Sequence, residues 1–203
     1  MKKIGKTEKL ISRLSRSLGV ILFWWLYVPH ILVYYLGGGK KMIDSDLHTF
    51  DNKTGGKLPS ILALLFLLHN NPWFRSTFYF RIGPVWKWLI GWWRPGCNTL
   101  LIHPYTEIGK GFRPEHAFGT CINADRIGDN FFCLHNVTIG KKNDKRPVIG
   151  NNVKVYAQSI VVGDISIGDN VIIGAGSVVV KDVPDNAVVA GNPAKIIKYQ
   201  SEN

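Results

Sequence analysis

The chain has 203 residues, 46% of them hydrophobic, and a formal net charge of +11, so it is long enough for one domain or a domain with an appendage. Lys and Arg outnumber Asp and Glu 14 to 4 through Asn98 and 11 to 10 beyond it, and all seven Trp precede Gly96. The basic residues flank apolar runs and form no single polar stripe, which argues against a nucleic-acid partner and for the headgroup region of a membrane.

From the first residue, Lys2, Lys3, Lys6, Lys9, Arg13 and Arg16 interleave with Ile4, Leu10, Ile11 and Leu14, a pattern that predicts a basic amphipathic helix over 1–17. The nineteen residues Leu18–Leu36 carry no charge and are long enough to span a bilayer. Pro29 lies in their middle, where it removes a backbone donor and bends a helix, so a span and a helix that dips in and returns both stay open. Burial in an oligomer interface is the alternative to lipid. Residues 40–59, with Gly55-Gly56 and Pro59, predict a linker. Ser60 can cap a short helix over Ile61–His69. Phe78–Trp93, interrupted by Arg81, Gly83, Pro84 and Lys87, predicts interfacial helices. Residues 1–98 are thus expected to be a basic, Trp-rich helical region associated with a membrane.

A different order begins at Leu100. Between Ile149 and Pro184 six hexapeptides follow in register, with Ile149, Val155, Val161, Ile167, Ile173 and Val179 in first place. The fifth place holds Val153, Ser159, Ile165, Val171, Ser177 and Val183, all small or β-branched. A strict period of six fits neither a helix nor an alternating strand. It predicts a parallel β-helix in which each unit is one short strand plus a corner, and stacked coils share one core. Earlier the period is imperfect: Ile102 and Ile108 keep it, Arg113–Asp125 disturb it, and Ile127, Cys133 and Ile139 restore it. It then slips by four residues, which places a loop within Lys141–Pro147, and the chain closes on a cap at 193–198. Cys133 holds a first-place position and reads as a small core residue. With Cys97 and Cys121 it shows no metal-ligand or CxxC spacing, so no metal site is expected and a reducing compartment is.

His116 lies in the disturbed stretch and His135 nineteen residues later. Three hexapeptides make a coil of eighteen, so one extra residue in the disturbance would set both imidazoles near one corner of adjacent coils, about 5 Å apart and facing outwards.

The set Ile102-His103-Pro104, Ile108-Gly109, Glu115-His116-Ala117, Val137-Thr138-Ile139-Gly140, Gly174-Ala175-Gly176-Ser177 and Ala190-Gly191-Asn192-Pro193-Ala194-Lys195 resembles the hexapeptide-repeat acyltransferases, and among them the serine acetyltransferase-like branch. The likeness covers about 100–198. It implies a left-handed β-helix over 99–198, contrary to the usual right-handed crossover, a homotrimer, and acetyl-CoA in the groove between subunits. By the same resemblance His116 matches the general base that deprotonates an acceptor hydroxyl, a task suited to an imidazole near neutral pH. Gly174, Ala157 and Ala175 match positions that meet CoA, and Lys181 and Lys195 are candidates for its phosphates. The sequence departs from the branch at Leu101, where the family has an Asp that pairs with the base, and at Arg146, where it has a second His; Lys145 precedes it in place of an Arg. Glu115 or His135 are the candidates to orient His116 instead, and Lys145 and Arg146 the candidates to meet an acceptor.

These readings predict a mainly β chain: a left-handed parallel β-helix of hexapeptide repeats preceded by an apolar, membrane-associated helical region. The function they favour is acetyl transfer from acetyl-CoA to a sugar hydroxyl of a surface polysaccharide or lipid-linked saccharide precursor, at the cytoplasmic, inner face of the cell membrane. Serine O-acetylation for cysteine synthesis is the alternative, and a non-catalytic β-helix binding module the third.

Overall fold

The computed structural model describes residues 6–51 and 60–200. Lys2, Lys3 and Ile4, and the turn residues Gly55, Gly56 and Pro59, lie outside the described residues.

Five helices make up the described part of the first half. They are α1 (Lys6–Phe23), α2 (Val28–Leu36), α3 (Lys40–Asp51), α4 (Ser60–Asn70) and α5 (Pro72–Ile90), with a 3₁₀ turn at Trp24–Tyr27 between α1 and α2. The apolar run therefore breaks before Pro29, and the expected bend at that residue is corrected: Pro29 opens α2, where its missing N–H would have had no helical partner anyway. Lys40–Asp51, expected as linker, is helical because Ile43, Leu47 and Phe50 recur at helical spacing and are all buried. In α5, Gly83 at φ 85° and ψ 169° followed by Pro84 kinks the helix.

The second half winds into a prism with three faces of hydrogen-bonded strands. The first face stacks Leu100–Ile102, Thr120–Ile122, Thr138–Gly140, Ile160–Val162 and Val178–Val179, all parallel. The second stacks Glu107–Ile108, Arg126–Ile127, Val148–Ile149 and Ser166–Ile167. The third runs from Arg113–Pro114 through Phe132–Cys133, Lys154–Val155 and Ile172–Ile173 to Ala187–Ala190, and ends on Lys195–Tyr199, which turns back antiparallel.

The hexapeptide rule is visible side chain by side chain. Every first-place residue from Ile149 to Val179 is buried, as is every fifth-place one, Ser159 and Ser177 included. Those two hydroxyls are satisfied by donating to the carbonyl of Gly174, at 2.8 and 2.5 Å. Burial pushes the Cys133 thiol up to about 12, in keeping with an inert core residue. At one corner Asn130, Asn152, Asn170 and Asn186 all adopt left-handed φ between 56° and 60°, and each amide donates to the next at 2.9 Å.

Helices and prism are bolted together by a buried ion pair. Arg81 Nε lies 2.7 Å from Asp46 Oδ2, and the same guanidinium donates to the carbonyls of Ile108 and Gly109 at 2.6 and 2.5 Å. Asp46 Oδ1 also accepts the Phe112 N–H at 2.8 Å. One helix-borne carboxylate and one helix-borne guanidinium thus occupy backbone groups of the first coil that have no earlier coil to meet.

Candidate functional site

The corner where the third face passes into the first is regular over its later coils. Gln158 N–H donates to the His135 carbonyl at 3.0 Å, and Gly176 N–H to the Ala157 carbonyl at 2.9 Å. His135, Ala157 and Ala175 are therefore successive rungs of one column, with Gly174 just before Ala175. Gln158 and Gly176 take left-handed φ of 62° and 68° to turn this corner.

The coil carrying His116 departs from that column. Pro114 pairs with Cys133 and Cys121 with Thr138, so seven residue steps there oppose five. Two extra residues are inserted at this corner and one is lost between Ile122 and Ile127, five steps where the first coil has six. The coil from Pro114 to Cys133 therefore holds the one extra residue expected in all. Asn136 N–H donates to the carbonyl of Phe118 at 2.7 Å, which makes Phe118 the rung opposite His135. His116 and Ala117 are the insertion. Ala117 turns into the core, fully buried, and throws His116 outwards at φ 50°, where it is exposed. Phe118 N–H closes the bend onto the His116 carbonyl at 2.8 Å. Buried Thr120 repairs the ladder: its hydroxyl donates to the Leu134 carbonyl at 2.8 Å and accepts the Val137 N–H at 3.3 Å.

What borders His116 comes from the helical half. Asn71 caps α5 by accepting the N–H groups of Trp73 and Phe74 at 3.0 and 2.9 Å. That fixes Trp73 in the first helical turn, with its ring edge-on to the His116 imidazole at a centroid distance of 4.7 Å and to Phe118 at 5.3 Å. The Trp73 indole N–H is buried and has no hydrogen-bond partner among the described residues. Trp73, Phe118 and Thr120 were not foreseen as site residues. The Asn-Pro-Trp order marked a helix start, but nothing local ties Trp73 to a histidine 43 positions on.

The other expected residues divide into two groups. Ala157 and Gly174 are half-buried, and Ala175, Lys181 and Lys195 are exposed, towards the far end of the prism from His116. Lys145 and Arg146 sit at a different corner, where Lys141–Pro147 leaves the first face and returns as the second. Lys145 pairs there with Asp164, whose carboxylate raises the lysine's pKa, and Arg146 lies 3.6 Å from Asp125. Within one copy this basic loop and His116 occupy different edges of the prism. Leu101, on the first face, is 61% exposed. No cluster of three metal-binding side chains occurs among the described residues.

Comparisons with known proteins bear on the β-helix first of all. The bacterial transferase hexapeptide family (six repeats) matches residues 146–181. Serine acetyltransferase 2 of Arabidopsis thaliana is 42% identical over 106 residues, covering 50% of this chain and 33% of that protein. The chain therefore spans about a third of the length of this curated relative. The crystal structure of Neisseria gonorrhoeae serine acetyltransferase superposes with a TM-score of 0.66 at 27% identity, over 84% of this chain and 69% of that one. A serine acetyltransferase solved in complex with CoA matches with a TM-score of 0.64 at 25% identity, over 83% and 73%. These solved folds extend over much of the helical half as well as the prism, and with them the winding is left-handed. The β-helical half of this chain is similar to the hexapeptide-repeat transferases, and among them to serine acetyltransferases.

Proposed function

We propose that the chain transfers acetyl from acetyl-CoA to a hydroxyl group, with His116 as general base. The observation that carries this reading is the insertion that lifts one histidine out of an otherwise regular corner. His116 is exposed beside the head of the column whose rungs are Phe118, His135, Ala157 and Ala175. An imidazole so placed can take the acceptor's proton as its oxygen bonds to the thioester carbonyl carbon. The C–S bond then breaks, and the proton passes to the departing CoA sulfur. The developing oxyanion calls for a backbone N–H. CoA would lie along the column, with Lys181 and Lys195 at its phosphate end. The basic loop can approach His116 only from a neighbouring copy, which accords with the homotrimer that the resemblance implies.

For the acceptor, the relatives' names favour L-serine over the saccharide of the opening reading. A saccharide is kept as second reading because of three residues: Leu101 and Arg146 stand where the branch has its acidic partner and second histidine, and Trp73 gives His116 an aromatic neighbour. Acetyl-CoA consumption by the purified full chain, with L-serine and with a panel of free and lipid-linked oligosaccharides, decides between them. Turnover on serine supports the first reading, and turnover on saccharides alone the second. CoA binding without turnover on either would return the chain to a binding module. His116→Ala is expected to lower turnover by about 10²–10⁴-fold with CoA binding retained, and an undiminished rate would remove His116 from the mechanism.

A further inference from the structure

The helical half has one face turned to protein and another with none of the described residues against it. On the inner face Tyr27, His30, Val33 and Tyr34 are buried. His30 Nε2 lies 3.0 Å from the Tyr79 hydroxyl, and the Tyr27 hydroxyl 3.1 Å from His69 Nδ1. The run Ser15–Leu36 is long and apolar enough to cross a bilayer. Yet it is broken by the 3₁₀ turn and held to the neighbouring helices along one side by hydrogen-bonded side chains. A helix crossing lipid alone would leave those polar groups in hydrocarbon.

The outer face is apolar and aromatic. Trp24 and Trp25 are 54% and 58% exposed, and Trp88 and Trp92 79% and 77%. The two pairs belong to one surface, because Trp93 packs against Phe23 and Tyr27 at centroid distances of 6.2 and 5.2 Å and so sets the end of α5 beside the 3₁₀ turn. Monomeric proteins rarely leave so many large apolar side chains exposed in one region without a use for them.

Two features say what covers it. Indole rings settle at the boundary between hydrocarbon and water, where an apolar body and an N–H are both accommodated. Lys87, exposed, stands between Trp86 and Trp88 on α5. The core of a protein–protein interface is depleted in lysine, whereas a layer of anionic headgroups attracts it. The same half carries the 14-to-4 excess of basic over acidic residues. We infer that this surface rests in the headgroup layer of an anionic bilayer, with the segment Ser15–Leu36 lying along the membrane and not across it.

The test is flotation of the purified full chain with phosphatidylcholine vesicles, with and without phosphatidylglycerol. The chain is expected to rise with the anionic vesicles and far less with the neutral ones. The combined variant Trp24→Ser, Trp88→Ser, Trp92→Ser, whose residues are all exposed, should weaken binding by about tenfold or more. Acyl chains brominated near the headgroup should quench the tryptophans of the wild-type chain more than chains brominated near the bilayer centre. Stronger quenching from the centre would overturn the in-plane placement, whatever the variant does. Failure to float with either vesicle would overturn the proposal. So would light scattering that shows the variant falling to a smaller assembly than the wild type in solution, since the surface would then be covered by a second copy.

Discussion

The two halves of this molecule hold themselves together in different ways. In the β-helix one position has one role wherever it recurs. Val153, Ser159, Ile165, Val171, Ser177 and Val183 all point inwards, and four asparagines turn one corner by the same left-handed step. Its stability is a sum of many similar contributions between neighbouring coils. The helical half relies on unrepeated polar links: Asp46 with Arg81, Tyr27 with His69, His30 with Tyr79, and Arg75 Nη1 donating to the carbonyls of Leu68 and His69. A repeat spreads its dependence over many residues, whereas a helical cluster this small concentrates it on a few.

The sharpest way to break that contrast is Arg81→Ala. It leaves the Asp46 carboxylate, 1% exposed, without its partner and uncaps the Ile108 and Gly109 carbonyls. Loss of one member of a buried pair costs about 3–5 kcal/mol, to be read from denaturant unfolding of the full chain. If the loss is under about 1 kcal/mol, the pair is not what joins the halves.

Acid should weaken the helical half selectively. Burial holds His30 down to about 4 from its ordinary 6.5, with Arg75 contributing in the same direction and a backbone hydrogen bond opposing it. The unfolded chain therefore binds this proton at a higher pH than the folded one. The contribution is fully present above about pH 6.5 and is lost as pH falls towards 4, to a total of roughly 3 kcal/mol. His69 is shifted the same way, chiefly by burial. Near-ultraviolet circular dichroism, which reports the seven Trp of the first half, should move at a higher pH than the far-ultraviolet signal of the β-helix. Coincident transitions would show the halves to unfold as one.

Smaller effects sharpen the comparison further. Trp73→Ala removes the edge-on ring beside His116 and should lower turnover about tenfold, roughly 1.4 kcal/mol, with little change in CoA affinity. The conservative Trp73→Phe should recover most of it, and equal losses in both variants would deny the ring its orienting role. Least of all, Asn152→Ala should cost about 1–2 kcal/mol for a left-handed residue without its amide, and Asn152→Gly distinctly less. A loss as large as that of Arg81→Ala would mean that the repeat does not share its load.

The same contrast decides what could be read from the residues alone. The hexapeptide stretch was legible because every unit tests the same rule. The site was legible in its identity but only partly in its register: counting residues across the disturbance gives the net of one extra, not the two gained beside His116 and the one lost before Ile127. Lys40–Asp51 hid behind its polar residues and the Gly55, Gly56 and Pro59 that follow, although Ile43, Leu47 and Phe50 carried the helical spacing. The break at Trp24–Tyr27 has no Pro or Gly within it and follows from packing against Trp93 and His69. Trp73 touches His116 across the two halves, and no local pattern encodes such a contact.

The antiparallel return of Lys195–Tyr199 also bears on how long such a prism can be. A stack of parallel coils ends in an unpaired edge that is a template for another coil, from the same chain or from a different molecule. On the third face the last edge belongs to a strand running the opposite way, whose bonding groups are spaced for a different partner. At the opposite end Arg81 and Asp46 hold the free carbonyls and N–H of the first coil. The rod is stoppered at both ends by structure that does not repeat, so that its periodicity does not become the start of a fibre.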